Sequence, residues 1–236
     1  MKKNLLWLMA IISFWSCSPS EQELFDEGIK MMETEQYDKA IEFFDRTIEK
    51  NPANTTALNA KGVALFQQSK FDEAIASFSA SIAVDSTSYK PYFNRGNAYL
   101  EKKSYKEALL DYNTANGLDP KQNDIYYNRG LALLALEQYE DAIFDFDVAL
   151  QADPKNALAQ FNKAKAQLGN NDPVSAINSL INTVNLDKQN GAAYYLLGVT
   201  QMSAFGQKED GCANLKLALS LGYAEAKTWI DDFCKE

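Results

Sequence analysis

The amino-acid sequence predicts a solenoid, a fold in which similar structural units stack one after another. Residues 92–120 recur almost intact 34 positions later, as residues 126–154. Both copies carry an Asn-Arg-Gly triplet, a tyrosine three residues before an alanine, and a closing Asp-Pro pair. Short polar junctions also return at this period along the chain. Self-similarity at a fixed period of about 20–50 residues is typical of stacked repeats.

The recurring residues resemble the tetratricopeptide repeat, a helix–turn–helix unit. The resemblance covers about residues 21–222, in repeats near 21–54, 55–88, 89–122, 123–156, 157–190 and 191–222. It implies an all-α, right-handed superhelical solenoid of about six such units. Residues 223–236 then form a C-terminal capping helix, because a solenoid needs its terminal apolar face covered.

Small residues recur at the eighth position of each repeat, in the middle of its first helix. They are Gly28, Gly62, Gly96, Gly130, Ala164 and Gly198. Glycine within a helix costs about 1 kcal/mol relative to alanine, so we expect the partner helix to approach closely there. Alanines that recur on the second helix are expected to allow the same close approach from their side. An aromatic residue covers the turn in each of the first four repeats.

The junctions between repeats carry their own helix-boundary signals. An Asn or Asp ends the second helix of each of the first five repeats, and proline follows at residues 52, 120 and 154, where it cannot continue a helix. Residues that favour the N-cap position then begin the next helix, which stabilises it by about 1 kcal/mol each. These predicted caps are Asn54, Ser88, Asn156 and Asn190, together with Asp172 inside the fifth repeat.

The first 16 residues have the pattern of a signal peptide, with two lysines followed by a short apolar run. Cys17 follows directly and resembles a bacterial lipoprotein processing site, although Phe14-Trp15-Ser16 departs from the usual small residues. The resemblance implies lipidation of Cys17, a short tether over residues 17–20, and a membrane anchor in the cell envelope, at the outer membrane and facing the periplasm. Secretion or a soluble periplasmic location is the alternative.

The composition argues against several functions. The formal charge is −9, and removal of Lys2 and Lys3 with the signal peptide lowers it by two, to −11. This charge disfavours nucleic acids and anionic lipid head groups as partners. The chain has no histidine, which excludes His-dependent nucleophilic catalysis and His-ligated metals. It also has no phosphate-binding glycine motif. We therefore expect a protein that is not an enzyme and that uses no cofactor or metal.

The resemblance implies that the first helices of successive repeats line a concave groove. The candidate partner-binding residues at these positions are Phe93, Asn94, Asn97, Tyr127, Asn128, Leu131, Phe161, Asn162 and Lys165. The asparagines at 94, 128 and 162 repeat at 34-residue steps, and such a ladder can hydrogen-bond an extended peptide. The alternative is that these amides tie neighbouring helices together and that the aromatic rings only shape the superhelix.

The sequence therefore predicts a non-enzymatic scaffold or adaptor of the cell envelope that holds another protein or peptide in its groove. A module that binds envelope glycan or peptidoglycan is the alternative. Arg95 and Arg129 are not expected to contact the partner. Each should pack beside the tyrosine of its own repeat, next to an acidic residue.

Cys212 and Cys234 are predicted to form a disulfide. Once Cys17 is modified, these two cysteines remain in an oxidising compartment. Cys212 lies early on the second helix of the last repeat, and Cys234 lies late on the capping helix. Antiparallel packing of those helices would bring the two residues level, whereas the alternative is a pair of buried thiols.

Overall fold

The computed structural model describes residues 18–234 of the chain. Across this range the chain forms thirteen α-helices and no strand, which confirms the predicted all-α class. The helices are α1 (Glu21–Glu33), α2 (Tyr37–Lys50), α3 (Thr55–Gln67), α4 (Phe71–Val84), α5 (Tyr89–Glu101), α6 (Tyr105–Leu118), α7 (Asn123–Ala135), α8 (Tyr139–Ala152), α9 (Ala157–Gly169), α10 (Pro173–Leu186), α11 (Gly191–Phe205), α12 (Lys208–Ser220) and α13 (Ala226–Phe233). The signal peptide and Cys17 lie outside the described residues.

Each helix packs against the next one in the chain, so α1–α12 form six helix–turn–helix pairs and α13 packs on α12. Alternate helices also touch, but chiefly on one side of the molecule. These contacts join α1 to α3, α3 to α5, α5 to α7, and α7 to α9, and within residues 18–234 no even-numbered pair matches them. The odd-numbered helices therefore lie closer together and line the inner, concave face.

The junction residues act largely as the sequence predicts. The side chains of Asn54, Asn156 and Asn190 each accept a hydrogen bond from a backbone N–H three residues later, at 2.8–2.9 Å. Asp172 does the same with Ser175, at 3.0 Å. Ser88 occupies the N-cap position of α5, but its side chain makes no capping bond. Its helix therefore starts without the expected side-chain stabilisation.

A left-handed residue closes the first helix of each of the first five repeats. Glu35, Ser69, Lys103, Glu137 and Asn171 all have φ between 56° and 60°. In the third repeat, Lys103 N–H bonds to Leu100 C=O and Ser104 N–H to Tyr99 C=O, at 2.9 Å each. This is the Schellman pattern, in which glycine is the usual residue. The tight turn directs the start of the second helix back along the first.

In the first four repeats, the glycine at the eighth position receives an aromatic ring from the second helix. A Cβ built on Gly62 would lie 2.4 Å from the Phe78 ring, and one built on Gly130 would lie 2.9 Å from the Phe146 ring. These rings are almost completely buried. The predicted close approach of the partner helix is thus an interlock between a glycine and a ring.

Gly62→Ala is expected to destabilise the chain although alanine is the better helix former. Overpacking against the Phe78 ring costs about 1–3 kcal/mol, against a propensity gain of about 1 kcal/mol. Gly117→Ala is the matched control, because a Cβ at Gly117 meets nothing within 4 Å. Urea unfolding should show a net loss for the first variant and a small gain for the second. Equal stability of the two variants would contradict the interlock.

Basic residues at the seventh position tie the second helices of adjacent repeats together. Arg129 bonds to Asp145 of its own repeat at 2.7 Å through two nitrogens, and to Asn113 of the preceding repeat at 3.1 Å. Arg95 is placed in the same way between Asp111 and Ser79. Each guanidinium also lies over the tyrosine ring of its own repeat, at 5.3 Å for Arg129 and 5.8 Å for Arg95. Both arginines thus have the predicted structural role.

The C-terminal helix covers the apolar end of the last repeat. Ala226 is fully buried, and Trp229 and Ile230 pack against the cluster around Leu215 and Ala218. Phe233 remains about half exposed beside Trp229, with its ring centroid 5.1 Å away. A disulfide joins Cys212 to Cys234, whose Cα atoms lie 5.7 Å apart. No helix of the described residues is long and apolar enough to cross a membrane.

Candidate functional site

An open cavity lies in the concave face across the third, fourth and fifth repeats, with a volume of about 650 Å³. Leucines of α5 and α7 supply its apolar wall, and side chains of α9 and of the interhelical turns complete it. Its lining residues are Leu100, Glu101, Lys103, Tyr105, Leu131, Leu134, Ala135, Glu137, Tyr139, Asn162, Lys165 and Gly169. We call this concavity the groove cavity.

Three of the nine candidate residues line this groove cavity: Leu131, Asn162 and Lys165. The other six lie elsewhere on the inner helices and are all partly buried. The nine candidate residues therefore all lie on α5, α7 and α9, but only three of them meet at the cavity. The groove cavity lies toward the turns that join the first and second helices.

The asparagine side chains make contacts between repeats. Asn94 Nδ2 donates to Asn59 Oδ1, and Asn128 Nδ2 donates to Asn97 Oδ1, both at 3.0 Å. Asn97 Oδ1 also accepts a hydrogen bond from the buried Tyr112 hydroxyl at 2.8 Å. These three candidate amides, Asn94, Asn97 and Asn128, hold neighbouring inner helices together. Of the two roles that the sequence allows for these asparagines, their contacts show the one that joins neighbouring helices.

The aromatic candidates pack partly into the repeat interior. The Phe93 ring centroid lies 6.1 Å from that of Tyr112, and the Tyr127 ring lies 6.1 Å from Phe146. Burial raises the pKa of the Tyr127 hydroxyl, and a hydrogen bond with the Asn162 side chain opposes that rise. Phe93 and Tyr127 thus present only part of each ring to the groove.

Lys165 is the charged residue among the nine candidates. Its side chain is exposed, and its ammonium nitrogen lies 5.8 Å from the centre of the Phe161 ring. Between residues 18 and 234 this nitrogen has no carboxylate within 4.0 Å, whereas Lys163 bonds to Asp147 at 2.6 Å. Lys165 therefore brings to the cavity an ammonium without a carboxylate partner among the described residues. The other charged residues of the lining, Glu101, Lys103 and Glu137, lie at the end of α5 and on the turns.

Several cavity residues were missed by the sequence analysis as site residues. Glu101, Lys103, Ala135, Glu137 and Gly169 come from the ends of the first helices and from the turns. Only the repeat register could have indicated them, because Lys103 and Glu137 occupy equivalent positions 34 residues apart, both with left-handed backbone conformation. A left-handed turn is usually recognised in a sequence by a glycine, and neither of these turns has one, so the residue types did not indicate that the turns reach the cavity.

The acidic side chains of the described residues form no candidate metal site. No group of three or more His, Cys, Asp or Glu side chains within residues 18–234 could hold a metal ion. The most buried carboxylates, Asp111 and Asp145, are occupied by Arg95 and Arg129. The groove cavity is thus the site on which a functional interpretation can be built.

Comparison with known protein families agrees with this geometry. A model described as "Tetratricopeptide repeat" matches residues 25–91, one described as "TPR repeat" matches residues 96–137, and a further "Tetratricopeptide repeat" model matches residues 124–156. The chain contains tetratricopeptide repeats. The matched residues include the helices that form most of the groove cavity. No curated protein sequence matches the chain at a significant level.

Several solved structures share the TPR solenoid. One is YrrB, described as a TPR protein with an unusual peptide-binding site, with a TM-score of 0.69, 22% identity, and coverage of 75% of this chain and 91% of YrrB. Another is MamA from Desulfovibrio magneticus RS-1, with a TM-score of 0.68, 18% identity, and coverage of 72% and 96% respectively. The Cut9–Hcn1 structure of APC/C gives a TM-score of 0.65 at 14% identity, over 86% of this chain and 40% of the matched chain. At these identities the likeness concerns the fold.

Proposed function

We propose that the protein is a non-enzymatic scaffold of the bacterial cell envelope that holds a segment of another protein in its concave TPR groove. The observation that carries this proposal is the groove cavity of about 650 Å³, walled by Leu100, Leu131 and Leu134. Apolar concavities with a few polar groups are the usual form of a recognition site. YrrB, which shares the solenoid, is described as having a peptide-binding site.

The contacts of the groove favour a protein partner over a glycan. Sugar recognition commonly uses open aromatic faces, but the two aromatic residues that line the groove cavity, Tyr105 and Tyr139, are partly buried, and the Tyr139 ring packs closely on Gly169. Leucine walls instead suit an apolar side chain of a peptide, whose burial contributes about 25 cal/mol per Å² of apolar surface. The amides Asn97 and Asn128 serve as the frame that holds the inner helices at the spacing of the groove.

Filling the groove cavity should abolish partner capture without unfolding the protein. Ala135 is the exposed last residue of α7 and lines the cavity, so Ala135→Trp places an indole inside it. Ala152→Trp is the matched control, because Ala152 is the exposed last residue of α8 and lies outside that lining. Pull-down from solubilised membranes with mass spectrometry should recover proteins with the wild type and the control that Ala135→Trp loses.

An identical set of captured proteins for both tryptophan variants would contradict the use of this cavity. Circular dichroism should give the same helical signal for the wild type and both variants. A partner lost by both variants would instead point to a surface outside the groove.

The envelope location rests on the first 17 residues and on the cysteines. The signal-peptide pattern covers residues 1–16 and directly precedes Cys17, and the other two cysteines are paired with each other. Disulfides persist in oxidising compartments, which supports a position outside the cytoplasm.

Cys17→Ala is expected to release the protein from the membrane fraction. A single acyl chain binds membranes only marginally, but a lipoprotein carries several. Fractionation with a carbonate wash should find the wild type in the pellet and the variant in the supernatant. A variant that stays in the pellet would contradict lipidation at Cys17 and leave the groove proposal untouched.

A further inference from the structure

The charge of the groove differs from the charge of the molecule as a whole. The chain has a formal charge of −9, but the one charged residue among the groove candidates is the cation Lys165. Lys165 is the ninth residue of α9 and is held by that helix, whereas Lys103 and Glu137 stand on turns and Glu101 ends α5. A positive charge is thus fixed on the inner face of a helix, beside an apolar cavity.

Lys165 differs from the basic residues at the seventh position of the inner helices. Lys61, Arg95, Arg129 and Lys163 each lie on an inner helix and bond to an aspartate within 2.7 Å. Lys165 is two residues from Lys163, yet its ammonium faces the Phe161 ring and, among the described residues, no carboxylate. A carboxylate supplied from outside would therefore meet an available ammonium without displacing an internal partner.

We propose that the groove cavity selects an extended peptide segment that places a large apolar side chain against Leu100, Leu131 and Leu134 and a nearby Asp or Glu side chain on Lys165. This inference rests on the proposed function and specifies its partner. The apolar anchor supplies affinity, and the ion pair fixes the register and excludes other sequences. Because the Lys165 side chain is exposed, the pair contributes modestly to affinity and acts mainly through this selection.

The rim of the cavity favours one carboxylate over several. Glu101 and Glu137 both belong to the lining, so a segment rich in acidic residues meets like charges there. Specificity of this kind needs repulsive as well as attractive contacts. The expected motif is accordingly one Asp or Glu within three residues of a Leu, Ile, Met, Phe, Tyr or Trp.

Selection from a library of random 12-residue peptides displayed on phage tests the inference. Peptides are selected on the immobilised protein and counter-selected on Ala135→Trp, then counted for acidic and basic residues near an apolar one. The wild type should enrich the acidic motif, and Lys165→Glu should enrich Lys or Arg at that place. Lys106→Glu is the charge-matched control, because Lys106 is exposed on the outer helix α6, and it should keep the acidic preference.

An enriched peptide, synthesised with an amidated C-terminus so that only side chains carry carboxylate, gives the quantitative test. Its fluorescence anisotropy should report at least a tenfold weaker affinity for Lys165→Glu and an unchanged affinity for Lys106→Glu. Apolar peptides enriched without an acidic preference, or a preference unchanged in Lys165→Glu, would overturn the inference and leave the proposed function standing. If no peptide is enriched on the wild type relative to Ala135→Trp, the inference is also overturned. The proposed function is tested separately, by the pull-down.

Discussion

Arg129→Ala is expected to lower the free energy of unfolding by about 3–5 kcal/mol, because it leaves a buried carboxylate without its partner. Asp145 has a side chain that is 1% exposed, and both of its oxygens accept hydrogen bonds from Arg129 at 2.7 Å. The variant also loses the bond from Arg129 to Asn113, which joins two repeats. Urea unfolding followed by circular dichroism measures the loss.

Lys163→Ala provides a control at the same position of the next repeat. Lys163 pairs with Asp147 at 2.6 Å, but the Asp147 side chain is 44% exposed, so water can solvate it when the lysine is removed. Exposed ion pairs contribute about 0–1 kcal/mol. Comparable losses for the two variants would show that burial of the aspartate is not the cause.

The pH dependence of Arg129→Ala follows from the state of Asp145. Burial raises the pKa of this carboxyl in the native protein, and the Arg129 guanidinium opposes the rise. Without the guanidinium, the folded pKa lies well above the unfolded value of about 3.9. The folded variant then binds the proton more tightly than the unfolded chain, so its stability falls as the pH rises above about 4. The deficit relative to wild type should be larger at pH 7 than at pH 4.

The repeat pattern made the fold predictable because each packing requirement recurs in a recognisable residue type. A glycine that faces a ring, such as Gly62 with Phe78, must stay small in every copy. Asparagine caps such as Asn54 act through local hydrogen bonds that depend on neighbouring residues alone. Such residue patterns can be recognised in the sequence without knowledge of the tertiary structure.

The groove cavity was harder to predict because it depends on the turns and on how successive repeats are placed. Lys103 and Glu137 reach the rim through left-handed turns that carry no glycine to announce them. Asn97 and Asn128 have residue types that suit either a peptide backbone or each other, and only the geometry shows their 3.0 Å bond. Residue type alone could therefore not distinguish amides that bind a partner from amides that hold the inner helices together.

Breaking the disulfide is expected to remove about 3 kcal/mol of stability from the C-terminal end of the solenoid. The bond closes a loop with a sequence separation of 22 between Cys212 and Cys234, and a loop of that size contributes about this amount by restricting the unfolded chain. The helix that it holds, α13, has 8 residues. Isolated helices of fewer than about 12 residues are marginal in water, so α13 depends on its packing and on this cross-link.

Reduction of the wild-type protein and the Cys212→Ala/Cys234→Ala variant should therefore give the same result. Hydrogen exchange should show faster opening of α13 in both, while the amides of α7, distant along the solenoid, remain protected because each repeat contacts only its neighbours. The variant itself should not respond to the reductant, which makes it the control for other effects of the reagent. Two free thiols from Cys212 and Cys234 in denatured, unreduced protein would contradict the bond. If the bond is present and its reduction leaves the exchange of α13 unchanged, packing of Ala226, Trp229 and Ile230 alone holds the cap.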